Sequence, residues 1–139
     1  MSAELALQGA IFTALKAVPA LMAAPLQGRI LDRVREKEPR PYLHLRSFQG
    51  VDDGSDCVDG LEIFADLDVW SEGVGKPEAS RIAGLVRDAL HERPLTLAAP
   101  WSLIEMAWRD TNIDDDGNLV RARMTFRALV ERIPETPTN

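Results

Sequence analysis

The chain has 139 residues, one cysteine and a formal net charge of −6. A chain of this length is expected to fold as one domain that buries about two-thirds of the surface exposed by the unfolded chain, without needing a disulfide or a metal ion. The single cysteine excludes an intramolecular disulfide and suits a reducing cytoplasm. The acidic surplus argues against a protein that binds nucleic acid specifically.

Neither a secretory signal nor a membrane span is predicted. The opening residues, MSAELALQGAIF, lack the basic region of a signal peptide. The most apolar stretch, AVPALMAAPL, has only about half the length that a bilayer requires, and it contains two prolines. We therefore expect no membrane partner.

An amphipathic helix is predicted at the beginning of the chain. Ser2 is placed to act as its N-cap, and Pro19 is expected to end it because proline interrupts helical hydrogen bonding. The apolar stripe of this helix comprises Leu5, Leu7, Ile11, Phe12, Leu15 and Val18. The helix should therefore pack against a core along one side.

Two or three strands are predicted to follow the helix. GRILDRV and PYLHLRSF are joined by the charged segment REKEPRP, and the second of them alternates apolar and polar residues. The third, LEIFADLDVW, alternates strictly, and its core-facing residues are Ile63, Ala65, Leu67 and Val69. This alternation predicts a half-buried strand.

The second half of the chain is predicted to hold one helix and two or three further strands. Pro77 begins the helix and Pro94 ends it; the residues expected on its buried side are Ile82, Val86, Ala89 and Leu90. LTLAAP and SLIEMAW follow, and in SLIEMAW we expect Ile104, Met106 and Trp108 to share a face. LVRARMTFRALVERI comes last.

The last of these stretches has the clearest period of two in the chain. Its inward residues are predicted to be Val120, Ala122, Met124, Phe126, Ala128 and Val130. The order of elements predicts an α+β domain, a mainly antiparallel β-sheet covered on one face by two α-helices. We expect this single domain to span residues 1–133 and residues 134–139 to form a flexible C-terminal tail.

Few residues in the chain could carry out catalysis, and we expect no enzyme, no metal site and no cofactor. His44 alternates onto the polar face of a strand and His91 lies at a helix C-terminus, so both are expected to be structural. Cys57 lies among aspartates, whose charge opposes formation of the nucleophilic thiolate. GVGK lacks the first glycine and the Ser or Thr of a phosphate-binding loop.

Two acidic loops, GVDDGSDCVDG and NIDDDGN, raise the question of calcium binding. NIDDDGN matches the first, third, fifth and sixth positions of a calcium loop, but the twelfth position holds Arg123 where a bidentate glutamate is required. A strand pattern follows the loop in place of a helix, so Gly117 is predicted to form a hairpin turn. The first loop lacks the alternating spacing of calcium ligands.

Charged and large apolar side chains share the polar faces of two predicted strands. These residues are Glu62, Phe64, Asp66, Asp68, Trp70, Arg121, Arg123, Arg127 and Leu129. Charges on strands commonly pair across a sheet or are solvated. Aromatic and arginine side chains together are typical of interface cores. The pattern therefore fits both a plain surface and a contact surface.

Four stretches carry a resemblance that covers nearly the whole chain: LQGAIFTALKAVPAL, GRILDRV with PYLHL, the run from Asp52 to Leu90, and DDDGNLVRARMTFRALV. They resemble the small tail-terminator, or tail-completion, proteins of tailed phages and gene transfer agents. The match is densest where Trp70, Gly75, Glu78, Ala79 and Ile82 stand in the family's order and spacing. These motifs are structural and contain no reactive centre.

The resemblance implies an α+β protein of the virion that is assembled in the host cytoplasm. It implies a ring, usually of six subunits, that caps the head-proximal end of the tail tube and stops tube polymerisation. The expected partners are further copies of the chain, the tail-tube protein, a head-completion or connector protein, and the sheath if the tail is contractile.

Two groups of residues are candidates for these contacts. The charged and apolar strand residues from Glu62 to Trp70 and from Arg121 to Leu129 are the candidate interface with a neighbouring subunit or the tube. The candidate docking loops contain Asp52, Asp53, Asp56, Asp114, Asp115 and Asp116. The alternatives are a head–tail connector adaptor on the portal side and a calcium-dependent binding domain.

Overall fold

The computed structural model describes residues 1–54, 59–73 and 75–134. Within these residues the chain forms three helices and five strands. In chain order they are α1 (Ala3–Lys16), α2 (Pro19–Met22), β1 (Ile30–Leu31), β2 (Tyr42–Asp52), β3 (Gly60–Ser71), α3 (Pro77–Leu90), β4 (Trp101–Asp115) and β5 (Val120–Arg132).

The strands form one sheet in the order β1-β2-β3-β5-β4. Neighbouring strands are antiparallel except for β1 and β2, which are parallel. β2 and β3 form one hairpin and β4 and β5 form a second, while α3 carries the chain from β3 to β4 at the far edge. The predicted α+β class and mainly antiparallel sheet are confirmed; α2 adds a short third helix to the two that were expected.

The alternation in β3 and β5 determines which face of the sheet is buried. The inward residues of both strands are fully buried, as predicted: Ile63, Ala65, Leu67, Val69, Val120, Ala122, Met124, Phe126, Ala128 and Val130. α1 and α3 pack over this face and contribute Leu7, Ile11, Leu15, Ile82, Val86 and Leu90 to the same core. The core therefore lies between the helices and one face of the sheet.

Both long helices begin with side-chain or proline signals that the sequence predicts. The Ser2 Oγ accepts a hydrogen bond from the Leu5 N–H at 3.2 Å, which confirms Ser2 as the N-cap of α1. Pro77 occupies the first turn of α3, where its missing N–H costs nothing. Glu78 in the same turn accepts a hydrogen bond from the Ser71 hydroxyl at 2.6 Å, which ties α3 to the end of β3.

Three details of the helices differ from the prediction. Leu5 and Phe12 are exposed, because alanines together with Leu7, Ile11 and Leu15 already fill the buried side of α1. Pro19 begins α2 and does not end α1, which stops at Lys16. α3 ends at Leu90, before Pro94.

The strands also differ in extent from their sequence patterns. GRILDRV contributes only Ile30 and Leu31, because the chain pairs with β2 over two residues and then turns away. LTLAAP forms no strand. Ile104 does not share a face with its predicted partners, since a register shift between Leu103 and Glu105 inserts it as an extra residue.

NIDDDGN is part strand and part turn. β4 continues to Asp115, and the Asp116 N–H donates to the Leu119 carbonyl at 3.2 Å to close the turn into β5. Gly117 has a φ of +94°, which glycine tolerates, so the predicted hairpin turn is confirmed. Of the predicted tail, residues 135–139 lie outside the described residues, and the domain boundary at residue 133 stays a prediction. In the described ranges, no helix is long and apolar enough to cross a bilayer.

Candidate assembly surfaces

The face of the sheet opposite the helices has no covering layer within the described chain, and we call it the open face. The register of β3 against β5 places all nine predicted interface residues on it. The facing pairs are Glu62 with Leu129, Phe64 with Arg127, Asp66 with Thr125, Asp68 with Arg123 and Trp70 with Arg121. The sequence prediction that these side chains share one surface is thus matched by their positions.

Most charges on the open face have partners within the chain. The Arg127 guanidinium donates to the Glu62 carboxylate at 2.5 Å, and that of Arg123 donates to Asp114 on β4 at 2.7 Å. The Thr125 hydroxyl donates to the Asp66 carboxylate at 3.0 Å. Cross-strand pairing, one of the two outcomes that the sequence leaves open, therefore accounts for much of the charge pattern.

Asp68 is the most buried charged residue described on this face. Its side chain is only 1% exposed, and its Oδ2 atom accepts hydrogen bonds from Arg121 at 2.6 Å and from Arg46 at 2.9 Å. Its Oδ1 atom has no hydrogen-bond partner among the described residues. Two guanidinium groups thus hold one carboxylate that lies beneath them.

The aromatic residues of the open face lie under arginine side chains. The Arg121 guanidinium is 4.9 Å from the centre of the Trp70 ring, and that of Arg109 is 5.6 Å from the Phe64 ring. These distances are within the range of cation–π attraction. Both aromatic residues stay partly exposed beside these arginines.

Sequence reasoning missed two arginines that contribute to this surface. Arg46 lies at the register shift in β2 between Leu45 and Ser47, and no local sequence signal marks that shift. Arg109 lies in the second half of β4, beyond the predicted strand SLIEMAW. Extending that strand to the turn would have placed Arg109 next to the open face.

The two acidic loops lie at opposite ends of the sheet. β3 pairs with β5 from Gly60 to Ser71, so the loop after Asp52 is at one end and the turn before Val120 is at the other. At about 3.3 Å per residue, this strand separates the two ends by roughly 36 Å. Asp52 and Asp53 are exposed at the first end; Asp56 lies outside the described residues, as does Cys57.

The aspartates of the turn are used to close it. The Asp116 carboxylate accepts hydrogen bonds from the N–H groups of Asn118 and Leu119 at 2.9 and 2.8 Å, and these bonds hold its pKa below the ordinary 3.8. The Asp115 carboxylate accepts one from the Gly117 N–H. Across residues 1–54, 59–73 and 75–134, no group of three acidic, histidine or cysteine side chains is arranged to hold a metal ion.

Both histidines make contacts with the backbone. His91 Nδ1 accepts a hydrogen bond from the Trp108 N–H at 3.0 Å, which attaches the end of α3 to β4. His44 Nε2 lies 3.2 Å from the Asp32 carbonyl oxygen. These contacts give each histidine a structural role, as the sequence predicts.

Comparison with known proteins places the chain in a class of tail completion proteins. Residues 9–131 match the model of a protein family described as tail completion protein gp17. The chain therefore belongs to the tail completion protein gp17 family, whose members are structural proteins of tails and not enzymes.

A solved structure described as the virion of a native gene transfer agent particle contains a chain of the same fold. That chain is 24% identical and superimposes with a TM-score of 0.83, over 94% of this chain and 99% of the other. The similarity establishes the fold. No curated protein matches the sequence.

Proposed function

We propose that the protein is a tail terminator. A ring of six copies caps the head-proximal end of the tail tube, stops the addition of tube protein and offers a docking surface to head-completion or connector proteins. The observation that carries this proposal is the match of residues 9–131 to the tail completion family. The protein would assemble in the host cytoplasm and work within the virion, with residues 1–133 as its single domain.

The open face is the proposed contact with a neighbouring subunit or with the tail tube. Support comes from Phe64 and Trp70, which lie partly exposed among arginines on an uncovered sheet. Because Arg127 and Arg123 already have internal acidic partners, they are not free to pair with a new charge without losing one. Recognition on this face would therefore depend on shape and on aromatic surface more than on unpaired charge.

The two acidic loops, at opposite ends of the sheet, are the proposed docking loops. Their separation by the length of the sheet supports a subunit that contacts the tube at one end and the head at the other. The first loop contributes Asp52, Asp53 and Asp56, and the second contributes Asp114, Asp115 and Asp116. In a contractile tail, the sheath would be a further partner of the same ring.

The experiment is deletion of the gene in the genome that encodes the chain, followed by electron microscopy of the particles. Overlong or unterminated tails are expected, because no ring stops the tube, and a second copy of the wild-type gene should restore normal tails. Finished tails of normal length beside unattached heads would contradict the terminator and indicate a connector adaptor on the portal side.

A further inference from the structure

The β4 edge of the sheet is covered over one half and open over the other. The chain after α3 covers the first half at Met106 and Trp108: the Trp108 N–H donates to His91, and the Glu92 N–H donates to the Met106 carbonyl at 2.8 Å. From Arg109 to Asp115, no backbone hydrogen bond from a described residue outside the β4–β5 hairpin reaches this edge. The second half of β4 is therefore an unpaired edge.

The opposite edge of the sheet, formed by β1 and β2, is also covered over one half and open over the other, but at the opposite ends of the strands. β1 covers the beginning of β2, where Ile30 pairs with Leu43 and Leu31 pairs with His44. Between Ser47 and Asp52, the described chain places a strand only on the β3 side of β2. The second half of β2 is therefore also an unpaired edge.

The covered half of each edge lies at the same height along the strands as the open half of the opposite edge. Two rows of paired residues cross the sheet: Tyr42, Trp70, Arg121 and Asp114 form one, and Val51, Glu62, Leu129 and Glu105 form the other. The open half of β4 is thus level with β1, and the open half of β2 is level with the covered half of β4. The covered half of each edge projects beyond the open half. When two copies are placed side by side in the same orientation, the covered half of each edge therefore faces the open half of the neighbouring edge.

The directions of the strands allow this contact. β2 and β4 run in opposite directions, because three antiparallel pairings separate them. β1 is parallel to β2, so the open half of β4 in one copy would meet β1 of a neighbour in antiparallel orientation. Antiparallel pairing is slightly more stable per residue than parallel pairing.

Exposed apolar residues match at one end of the two edges. Ile104 on β4 is 60% exposed, and Val51 on β2 is 42% exposed. Ile104 is adjacent to Glu105, which lies in the row that contains Val51. Contact between the two side chains across neighbouring copies would remove both from water.

Charges match at the other end. The segment 32–41 joins β1 to β2 and carries exposed Arg33, Arg35 and Lys37, none of which forms an ion pair with a described residue. The segment also contains Arg40 and three acidic residues, Asp32, Glu36 and Glu38, so its formal net charge is +1. At the same height on the opposite edge lie the exposed acidic residues Asp114–Asp116, of which Asp114 is already paired with Arg123. The two edges are therefore complementary in charge as well as in outline.

We propose that the β4 edge of one copy docks against the β1–β2 edge of the next copy. The contact joins two different surfaces of the same chain, and contacts of this kind form a ring when the rotation between successive copies closes and an open filament when it does not. This contact would join the subunits of the terminator ring, and the inference rests on the proposed terminator function. The open faces of successive copies then form one continuous surface around the ring.

Cysteine cross-linking tests the contact directly. Val51→Cys and Ile104→Cys are combined in a chain whose only native cysteine is removed by Cys57→Ser, and the purified protein is oxidised at high concentration. Non-reducing electrophoresis should show a ladder of covalent dimers, trimers and larger species. Each single-cysteine variant should stay monomeric, because the two positions contact each other and not themselves.

Two results would overturn this inference. One is the absence of a ladder from the double-cysteine protein; the other is a dimer formed by either single-cysteine variant, which would indicate a symmetric contact. The deletion experiment reports on the proposed function separately. If deletion gives overlong tails but cross-linking gives no ladder, the proposed terminator function stands and the edge contact is rejected. If deletion gives tails of normal length, the terminator function itself is rejected.

Charge reversal tests the other end of the same contact. Arg35→Glu with Lys37→Glu on the connector, or Asp115→Lys with Asn118→Lys on the turn, should each reduce the ladder by about tenfold or more. Asp116 is kept because it closes the turn. Both changes in one chain should restore the ladder, whereas Arg81→Glu on α3 should have no effect. Failure of the combined variant to recover, with an unchanged circular dichroism spectrum, would contradict the charge pairing.

Discussion

The two faces of the sheet hold the same strands in place by different means. On the helix face, β3 and β5 contribute side chains such as Leu67 and Phe126 that are fully buried, and each buried methylene contributes about 0.8 kcal/mol. On the open face, the same strands are joined by ion pairs and by arginines stacked on aromatic rings. One face therefore stabilises the fold by excluding water, while the other does so with pairs that remain partly hydrated.

This difference separates residues that maintain the fold from residues that are available for contacts. A change on the helix face leaves a cavity that the packed core cannot fill. A change on the open face mostly removes a pair that water can replace. Asp68 is the exception, because it is buried on the face that is otherwise exposed.

Replacement of Phe126 by alanine should have the largest effect on stability. The ring is fully buried at the centre of the helix face, so its loss should lower the free energy of unfolding by about 3–5 kcal/mol. Chemical denaturation measures this change. Leu129→Ala, three residues further along the same strand but on the open face, is the matched control and should cost about 1 kcal/mol or less. Equal losses in the two variants would remove the distinction between the faces.

Replacement of Asp68 by alanine should have the next largest effect. It leaves two guanidinium groups without their shared acceptor, and the expected loss is about 2 kcal/mol, because both arginines remain partly exposed to water. Urea denaturation measures it against Asp66→Ala, which lies two residues earlier on the same face and should cost less than about 1 kcal/mol. A smaller loss for Asp68 than for Asp66 would contradict the role of burial.

The ion pair between Arg127 and Glu62 should contribute little. Both side chains are partly exposed, so a double-mutant cycle with Arg127→Ala and Glu62→Ala should give a coupling free energy of about 0.5–1 kcal/mol. The coupling should fall in 0.5 M salt, which screens exposed charges. A coupling of several kcal/mol that does not change with salt would mean that this pair behaves as a buried interaction, like that of Asp68, and not as a hydrated surface pair.

The alternation of β3 and β5 was enough to predict which face each residue occupies. Arg121, Arg123 and Arg127 follow buried residues in strict order, and a charged side chain directed into the core would lack partners. The same reasoning predicted the turn at Gly117, since an aspartate–glycine pair between two alternating stretches favours a hairpin. Local chemistry was sufficient in these places.

Features that depend on contacts between distant strands could not be predicted in this way. Asp66 and Asp68 have equivalent positions in the sequence pattern, yet only Asp68 is covered, because a bulge in β2 brings Arg46 over it. Likewise, Ile104 leaves its predicted face because β4 gains a residue relative to β5. Bulges change the direction of side chains without a local signal in the sequence.

The hairpin turn belongs to neither face and should show the smallest effect, one that depends on pH. The turn N–H groups that donate to Asp116 hold its pKa below 3.8. A carboxylate with a lowered pKa in the folded state stabilises the turn fully above the pKa of the unfolded chain, and this contribution is lost as the pH falls through the folded value. Nuclear magnetic resonance of the Asn118 and Leu119 amides should therefore show a titration with a midpoint below 3.8.

The control for this titration lies next to Asp116. Asp116→Asn keeps an acceptor oxygen but cannot ionise, so the titration of both amides should disappear while the hairpin remains. Asp115→Asn should leave the titration in place, because Asp115 accepts its hydrogen bond from Gly117. A midpoint at or above 3.8 in the wild-type protein would mean that the turn does not favour the charged form.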